Sequence, residues 1–255
     1  MIFDTHAHYD DEAFDKDRIS LLPSLPTQGI EAVVNIGASI QTTKNTLKLI
    51  ETYPFFYGAV GVHPNETGEL NENLLNWLKE VARHPKVVAI GEIGLDYYWN
   101  EPDRETQKHW FICQLNLARE VGLPVIIHSR DAAKDTLDIM KSQKSDEIGG
   151  VIHCFSYGKD LAREYLSMGF YLGIGGVVTF KNAKKLKEVV EYMPMDKMVL
   201  ETDCPYLSPE PFRGTRNSSL NLPYVVKAVS EIKGISEEKI IEITYKNAKD
   251  LYRIK

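Results

Sequence analysis

Apolar residues in this chain gather in eight short runs that do not alternate with polar ones. The runs are Ile2-Phe3, Ala32-Val33-Val34-Asn35-Ile36, Phe56-Tyr57-Gly58-Ala59-Val60, Val87-Val88-Ala89-Ile90, Pro124-Val125-Ile126-Ile127, Gly150-Val151-Ile152, the stretch 170–176, and Met198-Val199-Leu200. Strands covered on both faces read this way, as they do in a parallel sheet. Between them lie segments of helical period: 42–53 stopped by Pro54, 70–84 closed by Pro85, 103–121 ended by Gly122, then 132–144, 160–168 and 183–192. The stretch 11–28 predicts a helix start that breaks near Pro23 and Pro26. Two further helices, about 222–233 and 236–252, finish the chain, the second capped by Ser236.

Strict alternation of strand and helix is the α/β signature, and eight repeats in 255 residues predict a closed (β/α)8 TIM barrel, one domain spanning 1–255. The rival, an open doubly wound sheet, would carry a glycine-rich phosphate turn after its first strand. Here that turn holds two histidines, in Asp4-Thr5-His6-Ala7-His8.

In such a barrel the chemistry sits at the C-terminal ends of the strands. His6 and His8 follow the first strand, His63 the third, Glu92 the fourth, His128 the fifth, His153 the sixth and Asp203 the eighth, so five of the seven histidines occupy strand ends. His84, before Pro85, and His109, in a polar helical stretch, read as structural. A catalytic zinc takes about three protein ligands and a water, so this set suits two metals rather than one. A metal pair suits in-line displacement, and Glu92, midway round the ring, is the natural bridge.

Composition adjusts this picture little. With 43% hydrophobic and 26% charged residues the chain has ample core material. No run approaches the roughly 18 apolar residues that cross a membrane, and Met1-Ile2-Phe3-Asp4 is not a signal peptide. Cys113, Cys154 and Cys204 form no CxxC pair, which fits a cytoplasmic protein. Strand alternation turns Cys154 and Cys204 away from the site as small buried fillers, and Cys113 reads as helix core. The net charge of −6 argues against a broad, charge-driven grip on nucleic acid, yet bound divalent metals would reverse the local sign for a phosphate. Tyr97, Tyr98 and Trp99 either stack bases of a single strand or cover the barrel mouth. Lys181, Lys184, Lys185 and Lys187 read as a solvated helix face.

The ordered motifs Phe3-Asp4-Thr5-His6-Ala7-His8, Gly61-Val62-His63-Pro64, Gly91-Glu92-Ile93-Gly94-Leu95-Asp96, His128-Ser129-Arg130-Asp131, His153-Cys154-Phe155-Ser156, Glu201-Thr202-Asp203-Cys204-Pro205 and Arg213-Gly214-Thr215-Arg216-Asn217 closely resemble the TatD family of metal-dependent deoxyribonucleases, among the amidohydrolase-like barrels. The resemblance covers essentially the whole chain. It implies two divalent ions (Mg, Mn or Zn), one held by His6, His8, Glu92 and Asp203 and the other by Glu92, His128 and His153. Asp203 would orient or deprotonate the attacking water, and His63 would contact the scissile phosphate. Arg130 is placed to fork onto phosphate, with Tyr97 as a further substrate contact. The implied activity is hydrolysis of DNA phosphodiesters, as a 3′ to 5′ exonuclease on single strands or strand ends, with no membrane association and no obligate protein partner. The alternatives are hydrolysis of an amide, lactone or aminoacyl ester on the same scaffold, or metal binding without turnover. Two departures from the family pattern, Tyr157 inserted before Gly158 and Ser218-Ser219 after Asn217, fall in loops expected to frame the substrate.

Overall fold

Each of the eight apolar runs forms a strand in the computed structural model, which describes residues 1–99 and 101–255. The strands are β1 (Ile2–Ala7), β2 (Ile30–Ile36), β3 (Phe56–Val60), β4 (Val87–Asp96), β5 (Val125–Arg130), β6 (Gly150–Ile152), β7 (Tyr171–Ile174) and β8 (Met198–Leu200). They pair in sequence order, every pair parallel. The first and last strands then meet: Ala7 bridges Cys204, the His8 amide donates to the Cys204 carbonyl at 2.8 Å, and the Asp203 amide donates to the His6 carbonyl at 2.9 Å. The result is a (β/α)8 TIM barrel whose seam lies beside His6, His8 and Asp203.

The helices that cover it are α1 (Arg18–Ser24), α2 (Ile40–Thr52), α3 (Glu72–Val81), α4 (Arg104–Val121), α5 (Ala133–Ser142), α6 (Lys159–Ser167), α7 (Lys184–Tyr192), α8 (Leu222–Lys233) and α9 (Glu237–Tyr252). Their starts follow capping chemistry: Ser39 and Thr42 form a reciprocal capping box on α2, Asp103 accepts from the Glu105 and Thr106 amides at α4, and Ser236 caps α9. The break expected near Pro23 and Pro26 falls between them. Pro23 lies inside α1, which ends at Ser24 before a 3-10 turn opened by Pro26 and closed by Gly29 at φ 89°. β7 is shorter than its apolar run because the chain turns at Gly175 into a 3-10 segment, Gly176–Thr179. A Cβ on Gly176 would stand 2.1 Å from the Leu207 carbonyl oxygen, so glycine alone allows that approach.

Two apolar clusters result. The larger joins strands to helices, while the smaller unites Phe3, Val34, Ala59, Ala89, Ile126, Val151 and Val199, closed by Tyr252 of α9. Residues from β1 and β5 can share one cluster only if the sheet curls onto itself, so the smaller cluster is the barrel interior.

Asp4 staples the seam. Fully buried, it accepts hydrogen bonds from the Thr202 amide (3.0 Å), the Thr202 hydroxyl (2.6 Å), the Ser219 hydroxyl (2.6 Å) and the His6 amide (3.3 Å). Burial pushes its carboxyl up to about 7 even though all four donors pull the other way. Period-2 alternation would give Asp4 and His6 the same surroundings, but the register with β2 slips between Asp4 and Ala7 and separates their partners.

β4 runs past the other strands and pairs with β5 through Gly94 opposite His128 and Asp96 opposite Arg130. Gly94 has φ 145°, and a Cβ there would lie 2.0 Å from the His128 carbonyl oxygen. Gly94→Ala is therefore expected to part β4 from β5 and shift His128, lowering the unfolding midpoint in urea and the metal content together.

Candidate metal centre

Strand ends bring the predicted residues to one place. His6 and His8, two apart at the end of β1, set their Nε2 atoms 3.1 Å from each other. His6 is wholly buried and stacks on His153 with ring centroids 3.6 Å apart. Between these rings stands Glu92 of β4, also buried, whose two carboxylate oxygens are divided between two sets of imidazoles. Oε2 faces His6 Nε2 at 3.4 Å and His8 Nε2 at 3.9 Å. Oε1 faces His128 Nδ1 at 2.7 Å, His153 Nε2 at 3.6 Å and His63 Nε2 at 3.9 Å. Asp203 completes the ring: its Oδ1 lies 3.4 Å from His8 Nε2, 3.6 Å from His6 Nε2 and 3.9 Å from His153 Nε2. Its left-handed backbone, φ 55°, is a strained conformation of the kind that concentrates at functional sites.

Sequence reasoning missed two carboxylates behind the histidines. Asp96, buried at the end of β4, places Oδ2 3.1 Å from His128 Nε2. Glu201, buried just beyond β8, places Oε1 3.2 Å from His153 Nδ1 and accepts from the Cys154 amide. Partners of this kind fix the orientation of a ligating imidazole. Both stand inside the motifs quoted above, with no role assigned to them there. His63 differs from the other imidazoles, because its Nδ1 accepts from the Asn65 amide at 3.2 Å. Its proton therefore sits on Nε2, which points inward as a donor and has no lone pair for a metal.

The electrostatics favour positive charge at the centre. Burial alone would raise Glu92, but His153, His128 and His6 outweigh it and hold its carboxyl well below the usual range. Burial would likewise lower His153, but Glu201, Glu92 and Asp203 take it up to about 10. His63 goes the other way, down to about 3, because burial and the neighbouring His128 disfavour its charged form. Potential ligand atoms of His6, His8 and Asp203 lie within 4.8 Å of one another, as do those of His6, His153 and Glu201, and those of His153, Cys154 and Asp203; a His63 nitrogen comes as close to Glu92 and His128, as a donor rather than a ligand. His6 Nδ1 and Glu201 Oε2 are buried without a hydrogen-bond partner. Mixed imidazole and carboxylate donors around a buried, cation-favouring point fit divalent metal ions.

The centre opens into a cleft of about 860 Å³ lined among others by Asp10, Asn65, Trp99, Arg130, Cys154 and Tyr206. Arg130 sets its guanidinium 3.8 Å over the Tyr98 ring, a cation–π contact that holds the fork at the cleft. Tyr97, expected as a substrate contact, is committed elsewhere: its hydroxyl donates to Asp135 at 2.8 Å and Arg104 covers its ring at 4.2 Å. Trp99 lines the cleft in its place.

Other expectations change as well. Cys154 lines the cleft instead of turning away, because its left-handed backbone (φ 46°) interrupts the alternation of β6. Cys204 is buried as expected, whereas Cys113 is half-exposed beside His109 rather than core. Tyr157 does not frame the cleft but hydrogen-bonds the Ser129 carbonyl at 3.0 Å, and Ser219 belongs to the buried staple of Asp4.

Residues 3–253 match the family model described as TatD related DNase. The chain is 45% identical over 254 residues to an uncharacterized metal-dependent hydrolase, YabD, of Bacillus subtilis (strain 168), with both chains fully covered. It is 35% identical over 247 residues to the 3′-5′ ssDNA/RNA exonuclease TatD of Rahnella sp. (strain Y9602), covering 94% of each. The crystal structure of YjjV, a TatD homolog from Escherichia coli K12, superposes with a TM-score of 0.93 at 29% identity, covering 100% of this chain and 98% of that one. No helix among the described residues is long and apolar enough to cross a membrane. Barrel, strand-end constellation and whole-length match together show that this chain belongs to the TatD-related DNase family.

Proposed function

We propose that the chain is a two-metal phosphodiesterase that trims single-stranded DNA from its 3′ end. The observation that carries this reading is the division of the Glu92 oxygens, Oε2 toward His6 and His8 and Oε1 toward His128 and His153. A carboxylate placed so serves two ions at once. His6, His8, Glu92 and Asp203 would hold one, and Glu92, His128 and His153 the other, as Mg, Mn or Zn. Such ions supply Lewis acidity to a phosphoryl oxygen and make water a stronger acid.

The chain's own residues do the rest. Asp203 turns Oδ1 to the imidazoles, which leaves Oδ2, without an ion-pair partner among the described residues, to take the proton of the attacking water. His63, with its proton fixed on Nε2 by Asn65, donates to an oxygen of the scissile phosphate. Arg130, held over Tyr98, forks onto the phosphate and stabilises the negative charge that builds there. The positively charged fork at the cleft favours a phosphoester over an amide or lactone. The relative named as an exonuclease on single-stranded DNA and RNA supports the same substrate class.

The test is digestion of 5′-labelled and 3′-labelled single strands with Mg²⁺ or Mn²⁺. A ladder shortening from the 3′ end is the expected result. Arg130→Ala should raise KM about tenfold, and His63→Gln should lower kcat by about 10²–10³, as loss of a preorganised donor does. Fully metallated protein that leaves both strands intact would overturn the proposal, and ester and amide substrates would then be tried.

A further inference from the structure

We infer that Trp99 is the stacking surface for an unpaired nucleobase of the strand whose phosphate rests at Arg130. The inference rests on the phosphodiesterase reading above and adds a base-binding subsite to it. Three exposed aromatics stand at or beside the cleft mouth: Tyr98, Trp99 and Tyr206. Two already carry contacts to charged side chains. Tyr98 lies under the Arg130 guanidinium, and Tyr206 donates its hydroxyl to Asp11 at 2.9 Å with its ring set edge-on toward His8. Trp99 is 55% exposed, lines the cleft, and meets Tyr98 only edge-on, ring centroids 4.9 Å apart at 86°.

That geometry matters in three ways. An edge contact leaves an indole face uncovered, and an uncovered face in a concave, charged cleft is what a base needs. Tyr98 holds Arg130 on one face while its neighbour Trp99 stands perpendicular to it, so the ring that supports the phosphate fork and the base shelf are consecutive residues. Through Tyr98 the shelf stands beside the fork, as suits a base near its own phosphate. Bases in a duplex already have both faces stacked, so such a shelf selects for unpaired nucleotides. Every base presents a π-face, and the subsite is accordingly tolerant of sequence.

The test compares wild type with Trp99→Ala and Trp99→Phe on a single-stranded oligothymidylate and on the same oligonucleotide with abasic residues at its 3′-terminal and penultimate positions. Trp99→Ala should raise KM by about tenfold to a hundredfold with kcat little changed, and Trp99→Phe should recover most of the loss. The abasic oligonucleotide should cost wild type a similar factor and cost Trp99→Ala nothing further. In parallel, a phosphorothioate-protected oligothymidylate should quench wild-type tryptophan fluorescence, with the quench lost in Trp99→Phe, since Trp77 and Trp110 are packed against the core. Equal KM for wild type and Trp99→Ala, or an abasic penalty undiminished in Trp99→Ala, overturns the inference while leaving the phosphodiesterase standing. Absence of hydrolysis by wild type defeats the phosphodiesterase reading instead, and the fluorescence arm then decides the subsite: a quench by thymidylate that the abasic strand does not give retains it, and no quench removes it.

Discussion

Glu92→Ala is expected to take hydrolysis to background, a loss of at least about 10³-fold, and to lower the bound metal from the proposed two ions per chain to one or none. The reason is the position of the carboxylate. Each of its oxygens faces a different group of imidazoles, so its loss removes a donor from both proposed ion sites at once. It also removes one of the negative charges that offset burial at His153 and His128, so a cation held there loses part of the charge that balances it. Glu92→Gln is the sharper variant because it keeps the volume and one oxygen. It should fold like wild type by circular dichroism yet bind metal far more weakly, since a neutral amide offers a poorer donor to a hard cation. Metal counting by mass spectrometry after dialysis, beside the labelled-strand assay, checks both. Full metal occupancy in Glu92→Ala would remove its bridging role.

Asp4→Ala is expected to cost about 3–5 kcal/mol of stability, because it orphans the Thr202 amide and hydroxyl, the Ser219 hydroxyl and the His6 amide, and each buried donor left unpaired costs about 1–3 kcal/mol, not fully additively. Urea denaturation of the metal-free protein measures it directly. The loss should fall mainly on the seam between β1 and β8, so metal affinity at His6 and His8 should weaken with it. A wild-type midpoint in Asp4→Ala would mean that the seam holds without the staple. Asp4→Asn should be milder, keeping one acceptor oxygen for four donors.

The barrel was legible because its strands are apolar on both faces, which leaves little ambiguity about period, and because turns and caps such as Ser236 and Gly122 mark helix ends. The five strand-end histidines were legible for the same reason: once the strands are placed, their ends follow. What escaped depended on local backbone or on partners distant in sequence. A single left-handed residue turned Cys154 toward the cleft, which no alternation rule anticipates. Asp96 and Glu201 act through His128 and His153, 32 and 48 positions away, and no spacing announces such a pair. Among Tyr97, Tyr98 and Trp99, the sequence shows three aromatics in a row, and only contacts with Asp135, Arg104 and Arg130 tell them apart. Ser219 looked like a substrate-loop departure and is a hydrogen-bond donor to Asp4 from 215 residues away.

The closure of the barrel has a consequence for how the molecule is made. Asp4 and Thr202 are 198 residues apart, and the same seam brings His6 and His8 to Asp203. A chain emerging from the ribosome would therefore present His6 and His8 long before Asp203, and hold them without that carboxylate until synthesis passes it. Seven strands can be laid side by side before that moment, but the ring of donors stays open. Contacts of such long range form late, after the intervening loops have closed. Assembly of the metal site thus coincides with completion of the barrel, and a chain cut short before β8 would carry five strand-end histidines and Glu92 without a finished centre.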